Sequence, residues 1–66
     1  MDREVIFDQL RNEYEEGRVS KPTAVNAMNF YNQNVEADKK LKGCLCTVAK
    51  RRISARMMLE WYEERY

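Results

Sequence analysis

In DREVIFDQLRNEYEEG, Ile6, Leu10 and Tyr14 recur at every fourth position, with Phe7 beside them and Arg3, Asp8, Gln9 and Glu13 elsewhere. That spacing lines up the apolar side chains on one stripe of a helix with 3.6 residues per turn. Asp2 suits the N-cap, and Asp2 and Glu4 suit the positive end of the helix dipole. Glu15 and Glu16 sit against the dipole at the other end, and Gly17 supplies the left-handed residue that closes the helix.

A second helix begins in SKPTAVNAMNFYNQN. Ser20 is placed to cap it, and Pro22 fits its first turn, where a missing N–H has no helical partner to lose. Ala24, Val25, Met28 and Tyr31 form its apolar stripe, broadened by Ala27 and Phe30. The polar run Asn32-Gln33-Asn34 ends it. Asn34 then introduces VEADKKLK, where only Val35, Ala37 and Leu41 are apolar. Two helical turns are the most this third segment supports before Gly43 stops it. The last element, in CTVAKRRISARMMLEWYEERY, is the longest. Ala49, Ile53, Met57 and Trp61 recur at every fourth residue, joined by Val48 and Tyr62, and Thr47 is its expected N-cap.

The pattern therefore predicts an all-α fold. One small domain over residues 1–66 would hold three to four helices in a bundle with a long C-terminal helix. Its expected core is Ile6, Leu10, Tyr14, Val25, Met28, Tyr31, Leu41, Ile53, Met57 and Trp61. Two glycines and one proline in 66 residues agree with helix rather than sheet. A chain of this length buries only roughly 60% of the surface its unfolded form exposes. Such folds lean on disulfides, a metal, a partner or very regular packing. Two cysteines and no histidine make the first two unpromising, leaving helix packing and a partner.

Charge changes the picture more than composition does. Residues 1–16 hold six acids against two bases, whereas Lys39 to Leu59 hold seven bases and no acid. In the last helix the cations Lys50, Arg51, Arg52 and Arg56 come first and Glu60, Glu63 and Glu64 last, the reverse of what the dipole favours. A basic run of this kind is either a solvated face or a docking surface for phosphate or carboxylate. Nucleic acid fits it poorly. The pI of about 7.7 is below the range usual for nucleic-acid-binding domains. Aligning Gly43 with the turn glycine of a helix-turn-helix puts Lys39 where a small residue must pack. No aromatic platform accompanies the basic run. An acidic protein surface, or a second copy of the chain, answers the same pattern. The C-terminal MMLEWYEERY supplies apolar anchors of the kind interfaces use, although core packing is the simpler account of that stripe.

Cys44-Leu45-Cys46 offers two thiolates where a structural zinc site needs four ligands. A metal site would therefore need two chains or added carboxylates such as Glu36 and Asp38. A disulfide between the pair would close a strained ring, and the flanking lysines favour a reactive thiolate. Ordinary thiols are the preferred reading, with a shared metal site and redox chemistry behind it. No metal or cofactor is expected. Nor is enzymatic activity: there is no histidine to act as a base near neutral pH. Ser20 and Ser54 lack a visible base, and Gly17 and Gly43 read as helix terminators rather than a phosphate cradle.

The expected function is that of a non-enzymatic protein-interaction module: a small adaptor, inhibitor or accessory subunit. The residues expected to meet the partner are Lys39, Lys40, Lys42, Lys50, Arg51, Arg52, Arg56, Met58 and Tyr62. The partner is a protein or a second copy, and the alternative is a nucleic-acid-binding accessory protein contacting phosphates through residues 39–56. No membrane partner or small-molecule substrate is inferred. The charged MDREVIFDQL and the low thiol count suit a reducing intracellular compartment such as the cytoplasm, of a cellular, viral or mobile-element host alike.

Overall fold

The computed structural model describes residues 2–66. It contains helices α1 (Arg3–Glu16), α2 (Lys21–Asn34) and α3 (Val48–Arg65), with a single 3-10 turn at Ala37–Lys39 between the last two. No strand occurs among the described residues. Each helix packs on both others, so the core is the one space the three enclose. As the pattern predicts, α3 is the longest, with 18 residues against 14 in each of the others.

The helix ends follow the expected chemistry, with one exchange of roles. The Asp2 side chain accepts from the Glu4 amide, and Gly17 closes α1 in the left-handed region at φ 94°. The amides of Gly17 and Arg18 there return to the carbonyls of Tyr14 and Glu13. Thr47 caps α3 by accepting from the Lys50 amide at 3.1 Å. Ser20 does occupy the N-cap of α2, but its side chain makes no capping bond. Glu13 of α1 does that work instead. Its carboxylate accepts from the Ser20 amide at 2.8 Å and from the Thr23 hydroxyl at 2.6 Å. Ser20 Oγ donates in turn to Thr23 Oγ1. A negative charge thus stands at the positive end of α2, supplied by the preceding helix.

This junction carries a pH dependence. Burial pushes the Glu13 carboxyl up, but hydrogen bonds from Thr23, Ser20 and Gln9 outweigh it and hold the group below its ordinary value. A carboxylate lowered by folding stabilises the fold above its unfolded pKa and ceases to as pH falls through the folded one. Glu13→Gln should therefore cost about 1–2 kcal/mol at pH 7. In urea titrations the gap from wild type should close as pH falls below roughly 4. A gap of equal size at pH 7 and pH 3 would show that the charge is immaterial.

The segment expected to form a further short helix does so for one 3-10 turn only. Val35 leaves α2 in extended geometry at φ −120°, ψ 161°. Asn32 then grips the Leu41 backbone from both sides, accepting from its amide at 2.9 Å and donating to its carbonyl at 3.2 Å. These bonds satisfy the chain without helical pairing.

Phe7, Leu10, Val19 and Met58 are the largest fully buried side chains. Ala24, Ala27 and Ala55 are equally inaccessible, and their small size lets the helices approach closely. Phe7 is the hub of the aromatic packing. Its ring stacks on Tyr62 at 4.2 Å and meets Phe30 edge-on at 5.6 Å. Trp61 joins at 6.2 Å from Phe7 and 5.1 Å from Tyr31.

The expected core needs correction in three places. Ile53 is 65% exposed, Met57 47% and Val25 37%. Tyr14, Met28, Leu41 and Trp61 pack against the core only partly buried. Helix α3 buries Ala55, Met58 and Leu59, flanked by half-buried Val48, Arg51, Arg52 and Tyr62. That face repeats at three and four residues, whereas the Ala49-Ile53-Met57-Trp61 row repeats at four alone. A row of fours drifts around the helix by about 40° at each step. It cannot stay against a core over the whole length of α3.

Candidate functional site

The basic residues divide into two groups. Arg51 and Arg52 face the body of the protein. Arg51 Nε donates to the Val19 carbonyl at 2.7 Å and its Nη1 to the Leu45 carbonyl at 2.8 Å. One guanidinium thereby ties the α1–α2 turn to the loop before α3. Arg52 Nη1 donates to the Gly17 carbonyl at 3.3 Å, and its guanidinium lies 4.9 Å above the Tyr14 ring. These carbonyls are left unpaired by chain reversals and have no helical donor. The two arginines supply one.

The reversed charge order of α3 thus has a partly intramolecular basis. Of its early cations, Arg51 and Arg52 bind the carbonyls of neighbouring turns, and of its late acids, Glu60 and Glu63 pair with arginines. Glu63 pairs with Arg11 of α1 at 3.0 Å, and Glu60 with Arg56 at 3.3 Å. Both pairs are well exposed and contribute little to stability. Their value is in matching the acidic end of α3 to its surroundings.

Lys39, Lys40, Lys42, Lys50 and Arg56 form the second group, and all five are exposed. Lys50 and Arg56 lie on the outward side of α3 with Ile53 and Met57, at the helical spacing 50, 53, 56, 57. The three lysines belong to the irregular segment before Gly43. Met58 and Tyr62, counted from sequence among the docking residues, go elsewhere. Met58 is fully buried, and Tyr62 is half-buried with its ring stacked on Phe7. The large apolar side chains exposed on α3 are Ile53 and Met57. Sequence assigned these to the core, and the three-and-four repeat of the opposite face was the signal that could have reversed the assignment.

The structure brings Cys44 and Cys46 together, sulfur against sulfur, with Cα atoms 5.2 Å apart. The sequence favours ordinary thiols and does not place them in contact. The local chain explains the meeting: Gly43 turns at φ 123°, and the next residues alternate, with Leu45 buried and both cysteines exposed. Among the described residues no group of three histidine, cysteine or acidic side chains is placed to hold a metal ion. No helix there is long and apolar enough to cross a membrane. No protein-family model, curated protein or solved structure matches the chain.

Proposed function

We propose that the protein is a non-enzymatic interaction module, an adaptor, inhibitor or accessory subunit, that docks through the outward face of α3. The observation that carries this reading is the exposure of Ile53 and Met57, 65% and 47%, one turn apart on the side of α3 that also carries Lys50 and Arg56. A branched aliphatic and a pliable thioether flanked by cations suit a partner groove that is apolar inside and acidic at its rim. Lys39, Lys40 and Lys42 extend the positive charge beyond the helix.

Ile53→Asp/Met57→Asp tests the reading. Both sites are on the surface, so the double variant should unfold within about 0.5 kcal/mol of wild type. Affinity capture from cells of the source organism should recover a stoichiometric protein partner with wild type and lose it with the variant. Equal capture by both would overturn the assignment of the face. The alternative, a nucleic-acid accessory role, draws on the exposure of five of the seven cations between residues 39 and 56. Its mark would be binding to labelled DNA or RNA that weakens steeply with salt and is lost in Lys39→Glu/Lys40→Glu/Lys42→Glu. Charge reversal at Arg51 and Arg52 cannot decide the question, because those side chains hold the fold together.

A further inference from the structure

The cysteine pair is accounted for neither by packing nor by the docking face. Cys44 and Cys46 are exposed on either side of Leu45, which is only 8% exposed. The alternation turns both sulfurs outward on the same side of the loop. The Cα separation of 5.2 Å lies within the range of protein disulfides.

The loop is also held from several directions. The Leu45 side chain sits in the core, and its carbonyl accepts from Arg51. Upstream, Asn32 clamps Leu41; downstream, Thr47 caps α3. None of these anchors depends on the sulfur bond, so the cysteines stay neighbours whether joined or reduced. A bridge across one intervening residue also restricts the unfolded chain far less than a long-range one. It is therefore a weak staple. Exposed bridges are the ones open to exchange, and the Arg51 guanidinium fixed at this loop, with Lys42 beside Gly43, supplies positive charge that suits an attacking thiolate.

We propose that Cys44 and Cys46 form a reversible dithiol–disulfide couple that exchanges with a low-molecular-weight disulfide. In the oxidising direction one cysteine thiolate attacks a sulfur of the small disulfide. A mixed disulfide forms and one small thiolate leaves. The second cysteine thiolate then attacks the protein sulfur of that mixed bond and expels the other small thiolate. The protein gives up two electrons and two protons, and the small disulfide leaves as two thiols. The inference is independent of the docking face on α3.

The test is an anaerobic titration of the full chain in glutathione buffers, from wholly reduced to wholly oxidised, with alkylation and intact-mass readout. The expected result is one intramolecular transition whose midpoint falls within the buffer range and does not move with protein concentration. Cys46→Ser and Cys44→Ser should instead accumulate a single glutathione adduct on the remaining cysteine. Helical circular dichroism should be unchanged in both, since the substituted side chains are exposed. A dithiol that persists at every ratio would overturn the proposal. So would a bridge that survives the most reducing buffer, or conversion only to disulfide-linked dimers.

Discussion

Met58→Ala should destabilise the protein by about 2–5 kcal/mol, whereas Met57→Ala, one position earlier, should leave it within about 0.5 kcal/mol of wild type. The two side chains are chemically identical and adjacent, and differ in which way α3 turns them. Met58 is fully buried among Phe7, Leu10 and Val19 in the core, and Met57 is 47% exposed. Phe7→Ala should go further, at about 3–5 kcal/mol, because it removes the ring on which Tyr62, Phe30 and Trp61 converge. A domain of this length has a total stability of roughly 3–10 kcal/mol. At the lower end of that range Phe7→Ala should be largely unfolded at room temperature, and Met58→Ala close to that limit. Urea titration followed by circular dichroism and by Trp61, the sole tryptophan, reads all three. Similar costs for Met57→Ala and Met58→Ala would mean that α3 is rotated from the register described here.

The same register marks the boundary of what the sequence discloses. Helix existence and ends were legible because they depend on local chemistry: Asp2, Gly17, Ser20 and Thr47 stand at the positions their types favour. On α1, Ile6, Phe7 and Leu10 form one dense apolar cluster, and all three are buried. Helix α3 offers two competing stripes. Ile53 and Met57 are larger and more apolar than Ala55, so side-chain character alone favours the wrong one. The buried face wins on geometry, since Ala55, Met58, Leu59 and Tyr62 follow a three-and-four repeat that stays against the core.

The candidate site was legible to the same partial degree, for a related reason. A basic run shows as charge in the sequence, but each cation's role depends on which carbonyls stand unpaired nearby. Val19 and Gly17 become acceptors for Arg51 and Arg52 only once the distant α1–α2 turn has packed against α3, and Leu45 for Arg51 only once the loop before α3 has bent back onto the helix. Glu13 is the counterpart on α1. It reads as an exposed polar position of a helix and becomes the cap of α2 through a contact across the turn. Lys39, Lys40, Lys42 and Lys50 keep their outward placement, and Arg56 pairs only with exposed Glu60 of its own helix.

Arg51→Met should lower stability by about 2–4 kcal/mol although it leaves the apolar stem nearly intact. The substitution removes both donors, at 2.7 Å to the Val19 carbonyl and at 2.8 Å to the Leu45 carbonyl. Val19 is fully buried, so its carbonyl has little access to replacement water, and an acceptor left unpaired costs about 1–3 kcal/mol. In a domain this small, each kcal/mol shifts the melting temperature by roughly 4–8 °C. Arg51→Lys should fall between the two, because an ammonium keeps the charge but cannot span two carbonyls as the planar fork does. Lys50→Met is the control, since Lys50 is exposed and its side chain makes no hydrogen bond or ion pair among the described residues; it should change stability by no more than about 0.5 kcal/mol. Thermal melts of the three variants separate the two roles a basic residue can have here. If Arg51→Met melts with Lys50→Met, the guanidinium is not a tie between the loops. Arg51 would then return to the pool of cations available to a partner.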